Sequence, residues 1–195
     1  KVLGYEESVP DEGAAIICSN HNSEWDVIMN AYALEITKKR MLWQMSKQQL
    51  FQIPIVNAWV RTHHAFPLKR GESDVQCFNY ARELLDEGKI VMIYPEGTIN
   101  SSSEILEGHT GAIRLAIEGK VPIIPIGITN TEKIYPKHAK MLKFGHGCIF
   151  KAGEPFMEHS KYFDKPMPDY DELKRLTNNL MKRIEDLLMY DVPNT

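Results

Sequence analysis

The sequence predicts an α/β layered domain in which a mainly parallel or mixed central sheet is flanked by helices. Three observations predict it. Apolar runs of strand length recur at Ala14-Ala15-Ile16-Ile17-Cys18, Ile90-Val91-Met92-Ile93 and Val121-Pro122-Ile123-Ile124-Pro125-Ile126. Segments with a helical period lie between and after them, which is the alternation expected of strand–helix–strand units. The length of 195 residues, with 43% hydrophobic and 25% charged residues, suffices for a buried core without staples.

Taken in order, residues 14–19 read as a strand and 24–35 as a helix, with Ser23 suited to cap the helix and Glu24 and Asp26 suited to its positive end. Met41 to Ser46 reads as a second strand, followed by a short apolar helix through Ile55-Val56-Asn57-Ala58-Trp59-Val60. From Asp74 to Asp86, Val75, Phe78, Ala81, Leu84 and Leu85 share one helical face, Ser73 or Asp74 can cap it, and Gly88 stops it. Lys89 to Tyr94 is a buried-type strand ending at Pro95. A Ser-rich loop at 101–103 precedes a helix at Gly111 to Ile117. The prolines of Val121 to Ile128 favour an edge or irregular ladder over a regular central strand. The last helix, near Tyr170 to Tyr190, carries Leu173, Leu176, Leu180, Ile184 and Leu187 on one stripe, as a helix packed on a core would. We expect one domain over 1–195.

The formal net charge of −3 argues against a general nucleic-acid binder, and Lys38-Lys39-Arg40 reads as a solvated surface run. Cys18, Cys77 and Cys148 lack CxxC spacing and are read as buried reduced thiols, which suits a cytoplasmic setting. No apolar run reaches the length of a membrane span. The first residues, Lys1-Val2-Leu3-Gly4, include no methionine, so a natural N-terminus upstream, with room for an anchoring segment, is expected.

Chemistry concentrates in three segments. His21 and Asp26 stand five residues apart after an apolar strand. They can meet if His21 lies in the turn and Asp26 in the first turn of the helix, where a carboxylate would fix one imidazole tautomer and make it a general base for a hydroxyl. Alone, such a pair recurs by chance. Tyr94-Pro95-Glu96-Gly97-Thr98 follows a second strand, at the end where open α/β sheets bind ligands. Gly97 admits close approach, and Glu96 and Thr98 can bond hydroxyl or phosphate oxygens. Phe66-Pro67-Leu68-Lys69-Arg70-Gly71 adds a point charge at Lys69 and a planar fork at Arg70, both suited to phosphate.

In order, these segments resemble the blocks of the glycerolipid acyltransferases that include 1-acylglycerol-3-phosphate acyltransferases. Asn20-His21-Asn22-Ser23-Glu24-Trp25-Asp26 is similar to NHxxxxD, and His64-Ala65-Phe66-Pro67-Leu68-Lys69-Arg70 to a second block ending in arginine. Tyr94-Pro95-Glu96-Gly97-Thr98 is similar to FPEGTR, and Val121-Pro122-Ile123-Ile124-Pro125-Ile126 to VPIxPV. The ordered match runs from Val2 to about Phe156. Ile99 departs where the family has arginine, His64 where it often has glycine, and His109 where lysine is common.

The resemblance implies transfer of a fatty acyl group from acyl-CoA or acyl carrier protein to the sn-2 hydroxyl of 1-acylglycerol-3-phosphate. His21 would be the base and Asp26 its partner, with Arg70, Lys69, Glu96, Gly97 and Thr98 around the acceptor and its phosphate. It implies no cofactor beyond the acyl donor and no metal. The implied partners are a lysophospholipid, the donor and a membrane surface, reached at the cytoplasmic face either peripherally or through a segment outside this chain. Trp43, Phe51, Ile53, Ile55, Val56, Trp59 and Val60 are expected to include acyl-tunnel or membrane contacts. Ser23 and Cys18 leave a covalent route open. The rivals are another lysolipid acceptor, a non-catalytic lipid- or thioester-binding protein, and a metal-dependent hydrolase, against which the seven histidines show no HExxH spacing.

Overall fold

The computed structural model describes residues 1–47, 66–68, 74–100, 102, 104–136, 139, 141, 143 and 145–189. The strands are β1 (Val2–Leu3), β2 (Ala15–Ser19), β3 (Leu42–Lys47), β4 (Phe66–Leu68), β5 (Ile90–Ile93), β6 (Ile123–Thr129) and β7 (Ile149–Ala152). The helices are α1 (Tyr5–Ser8), α2 (Trp25–Lys38), α3 (Asp74–Asp86), α4 (Gly111–Gly119), α5 (Thr131–Ile134) and α6 (Tyr170–Glu185), with a 3₁₀ turn at Glu158–Tyr162.

These seven strands form one sheet in the order β1-β7-β6-β2-β5-β3-β4. β6, β2, β5, β3 and β4 run parallel, while β7 is antiparallel to β6 and carries β1 parallel to itself. The expected mixed, mainly parallel sheet is what forms. β2 is buried at every position because both of its faces are covered. Alternation sends Ile16 and Cys18 to one side, with Leu84, Ile113, Leu176 and Leu180 of α3, α4 and α6. Ala15 and Ile17 face the other side, with Tyr5 of α1 and Leu34 of α2. The domain is therefore three layers.

Each predicted helix that lies among the described residues forms, with shifted ends. α2 runs on to Lys38 and closes on Lys39 at φ 52°, so no glycine marks its end. α3 ends as read, with Gly88 at φ 75°. Val75 does not join the buried face of α3: it is 62% exposed, whereas Ala81, Leu84 and Leu85 are buried. α6 ends at Glu185, short of Tyr190, and Leu187 instead folds back over Gly127, where an added Cβ would lie 2.7 Å from Leu187. The apolar helix expected at 55–60 lies outside the described residues, as does the expected Ser73 cap.

One reading holds in only one of its two forms and another is corrected. β6 is an interior strand, third in the sheet, so the edge alternative falls despite Pro125. The irregular ladder anticipated from its prolines is nonetheless there: Ile126 opposes Ala152 but Ile123 opposes Phe156, so residues 153–155 face only 124–125. The Pro125 carbonyl accepts from Gly153 N at 2.9 Å on that side, and the bulge absorbs the N–H that proline lacks. The basic run at 38–40 is not merely solvated. Arg40 donates to the carbonyls of Pro10, Gly13 and Gly88, and Lys38 donates to Glu6 O and Asp11, so the two side chains tie the chain between α1 and β2 to its neighbours. None of the three cysteines is in a disulfide; Cys18 is fully buried as read, whereas Cys77 and Cys148 are only half-buried.

His159 is buried, stacked on the ring of Phe156 and in a T-shaped contact with Phe163. Its Nε2 meets the Val121 carbonyl at 2.8 Å, and burial lowers its pKa from the ordinary 6.5. Above that value both folded and unfolded His159 are neutral. As pH falls below it, the unfolded chain takes up a proton the folded chain refuses, so stability declines until the folded pKa is reached. We expect urea midpoints to fall more steeply between about pH 7 and about pH 5 in wild type than in His159→Phe. Parallel declines would remove His159 from the acid sensitivity.

Candidate functional site

The carboxyl ends of β2 and β5 lie side by side, with Cys18 opposite Ile93. The chain leaves β2 through Asn20 and leaves β5 through Tyr94, and the turns that follow build one cluster.

His21 and Asp26 meet as the spacing predicts. Nδ1 of His21 lies 3.0 Å from Oδ2 of Asp26, which is wholly buried, while the His21 side chain keeps 13% of its surface exposed. The same Oδ2 accepts from the backbone N–H of Asn22 at 2.7 Å and of Ser23 at 2.9 Å. With Nδ1 donating to the carboxylate, Nε2 carries the acceptor lone pair. Among the described residues nothing hydrogen-bonds Nε2. The turn thus leaves Nε2 as the ring nitrogen placed to exchange a proton.

The N-cap of α2 is Glu24, one residue past the Ser23 expected, and its side chain makes no capping hydrogen bond; Ser23 instead braces the turn ahead of it. Its Oγ accepts from Trp25 N at 3.1 Å and donates to Tyr135 O at 2.7 Å, tying the start of α2 to the end of α5. A buried hydroxyl whose proton is given to a carbonyl is not an available nucleophile. Cys18, the other covalent candidate, is fully buried, and burial pushes its thiol pKa upward.

Glu96 sits 4% exposed beneath the turn. Its Oε1 accepts from the backbone N–H of His21 at 3.0 Å. Its Oε2 accepts from Leu106 N and from Asn100 Nδ2, each at 3.0 Å. Asn100 N in turn donates to His21 O at 2.7 Å. Glu96 therefore fastens the loop after β5 to the backbone of His21, with both carboxylate oxygens engaged by the protein. Gly97 (φ 66°) and Thr98 are exposed at the rim, and the His109 ring lies close enough to Gly97 that an added Cβ would come within 3.1 Å of it. Lys69 and Arg70 lie outside the described residues. So do Phe51, Ile53, Ile55, Val56, Trp59 and Val60 of the apolar stretch, leaving Trp43, which is half-buried on the α3–α4 side of the sheet.

Three contributors escaped the sequence reading of the site. Asn20 pairs its side-chain amide with the backbone of Ile128, accepting from Ile128 N and donating to Ile128 O, each at 2.8 Å, and so locks the β2 turn to β6. Its only sequence signal was its place before His21 in the first block. Asn100 had no signal beyond lying in a polar loop. Tyr94 stacks on the His21 imidazole, with ring centroids 4.0 Å apart and planes at 18°. Among the described residues no group of three or more His, Cys, Asp or Glu side chains is gathered as metal ligands would be.

The sequence profile of the family described as Acyltransferase matches residues 2–129. The chain is 28% identical over 182 residues to the 1-acyl-sn-glycerol-3-phosphate acyltransferase of Bacillus subtilis (strain 168), covering 93% of this chain and 85% of that protein. It is 32% identical over 150 residues to the chloroplastic 1-acyl-sn-glycerol-3-phosphate acyltransferase LPAT1 of Arabidopsis thaliana, which covers 76% of this chain and 40% of that one. In fold it is similar to the crystal structure of the 1-acyl-sn-glycerophosphate acyltransferase PlsC from Thermotoga maritima, at a TM-score of 0.69 and 23% identity over 95% of this chain and 70% of that one.

Hydrogen bonds to a charged acceptor are worth about 1.5–3 kcal/mol, and every tenfold change in an equilibrium is about 1.4 kcal/mol. Glu96→Gln cannot accept from all three donors, because one of its two atoms becomes a donor. Amide exchange at His21 and Leu106 should then quicken by about tenfold or more at one or both positions. Unchanged protection at both would show that the loop is held by something else.

Proposed function

This chain belongs to the acyltransferase family, and on that premise we propose that it transfers a fatty acyl group from acyl-CoA or acyl carrier protein to the sn-2 hydroxyl of 1-acylglycerol-3-phosphate, forming phosphatidic acid and free thiol. The observation that carries the reading is the His21–Asp26 contact of 3.0 Å, which leaves Nε2 as a base at the carboxyl edge of the parallel strands.

In the proposed step, Nε2 takes the hydroxyl proton as the acceptor oxygen bonds to the thioester carbonyl carbon. The tetrahedral intermediate collapses, the carbon–sulfur bond breaks, and the leaving sulfur receives the proton from the imidazolium. Asp26 stabilises that imidazolium and keeps the ring in one tautomer. The transfer is direct, with no acyl-enzyme and no cofactor or metal beyond the acyl donor. The Ser23 hydroxyl, committed to Tyr135 O, supports that choice.

Glu96 serves by holding the His21 backbone, and the exposed Gly97 and Thr98 face the acceptor. Lys69 and Arg70 are the proposed partners of its phosphate. The acceptor lives in a bilayer, so the proposed site of action is the cytoplasmic face of a membrane. Among the described residues no helix is long and apolar enough to cross one. Ile99, at the position where the resemblance leads one to expect arginine, favours a second reading in which the acceptor is another lysolipid.

The deciding experiment measures thiol release from acyl-CoA, and separately from acyl carrier protein, with and without 1-acylglycerol-3-phosphate. Release should depend on the acceptor and should fall by at least ~10²-fold in His21→Ala. Full turnover in His21→Ala would overturn the base assignment. Acceptor dependence met only by a different lysolipid would select the second reading. Rapid quenching with a radiolabelled donor should leave no label on Ser23, and a labelled Ser23 would refute direct transfer.

A further inference from the structure

We propose that Tyr94 is a positioning residue for the transfer, its ring face lying against His21 so as to hold the imidazole plane and stabilise the imidazolium formed when Nε2 takes the acceptor's proton. The inference rests on the reading of His21 as general base and goes beyond it. It assigns a charge-stabilising role to an aromatic ring that makes no hydrogen bond to His21.

The geometry is that of a ring pinned on two sides. Asp26 Oδ2 holds the Nδ1 edge at 3.0 Å, and the Tyr94 ring covers one face at 4.0 Å between centroids and 18° between planes. An aromatic face carries the negative lobe of the ring quadrupole, so it attracts a cation more than a neutral ring. The attraction grows as His21 gains charge. It therefore belongs more to the transition state than to the resting enzyme, which is the condition for raising the rate rather than only tightening binding.

Tyr94 is anchored at its far end. Asn30 Nδ2 donates to Tyr94 Oη at 3.3 Å, and Asn30 Oδ1 accepts from Tyr5 OH at 3.2 Å. Asn30 and Tyr5 are fully buried between α2, α1 and the sheet. A phenylalanine could stack on His21 but would leave the Asn30 amide without this acceptor, so the hydroxyl explains why the ring is fixed rather than merely present. Burial, reinforced by the Asp26 charge, drives the Tyr94 pKa well above its ordinary value, so the ring remains a neutral phenol.

Among the described residues the titratable groups about this pair are Asp26 from α2, Glu96 from the loop after β5 and Tyr5 from α1, with Cys148, ahead of β7, within electrostatic reach of Asp26. Burial also raises the pKa of Tyr5 and of Cys148. Asp26 meets the Nδ1 edge of His21 and Glu96 meets its backbone N–H, while Tyr94 stacks on the ring.

The test drains the ring of electrons without changing its shape. Tyr94→Phe is the reference, and fluorinated phenylalanines with one, two and three fluorines at position 94 form the series. Acceptor-dependent thiol release is followed against pH with acyl-CoA or acyl carrier protein, whichever supports turnover. Each fluorine should lower kcat and move the acidic limb of the pH–rate profile downward. Across the series we expect about a three- to tenfold loss and ~0.5–1 pH unit, with the acceptor KM little changed.

A flat series in kcat and in the limb would overturn the proposal and reduce Tyr94 to packing. Because the series is nearly isosteric, it remains informative if Tyr94→Leu fails to fold. His21→Ala separates the two levels. If it is inert while the series is flat, only the role of Tyr94 fails. If it turns over fully, the general-base reading fails and the proposal falls with it.

Discussion

One buried carboxylate oxygen organises the site. Asp26 Oδ2 gathers two backbone N–H groups and an imidazole nitrogen within 3.0 Å, at the start of α2. An isolated carboxylate would be costly to bury, and the convergence of donors offsets that cost with charge-assisted hydrogen bonds. The positive end of the α2 dipole adds to it. The same atom that shapes the turn therefore also selects the imidazole tautomer, and neither could change alone. Its sister oxygen, Oδ1, is buried without a hydrogen-bond partner among the described residues, which concentrates the interaction on one atom.

Around that atom the turn is tied to two other strands. Asn20 continues β2 onto β6 through Ile128, and Glu96 binds the loop after β5 to the His21 backbone. Asn20 and Asp26 from one block, and Glu96 from a loop 75 positions on, thus fix one turn from three directions. Such a frame holds the reacting nitrogen on rigid strands while leaving the exposed rim at Gly97 and Thr98 to meet what binds there.

What could be read from the chain follows from the range of the forces involved. Continuous apolar runs gave β2 and β5, and the 3.6 period gave α3 and the packed stripe of α6, because burial of a strand on both faces or of a helix on one stripe is written locally. His21 and Asp26 were legible because they sit within one turn of each other. The interior place of β6 was not, since Pro125 argues locally for irregularity and only the bulge opposite it, at 153–155, reconciles a proline with an inner strand. Nor was the role of Glu96 legible: a carboxylate after a strand looks like a ligand contact until its donors, from His21, Asn100 and Leu106, are seen to be the protein's own. β1 and β4, two and three residues long, have too few positions to show a period at all. Tyr94 was read as one letter of a block because stacking on His21 depends on parallel pairing of strands far apart in sequence.

That separation has a kinetic meaning. The bonds that complete the turn join residues 75 and 108 positions apart, His21 to Glu96 and Asn20 to Ile128. Loops of that size close late, since their entropy is lost before any contact compensates for it. A nascent or refolding chain would thus acquire helices α2 and α3 well before it owned a fixed imidazole. Recovery of the site during refolding would report the closing of the central strands rather than the regain of helix, making His21 a late clock for the whole molecule.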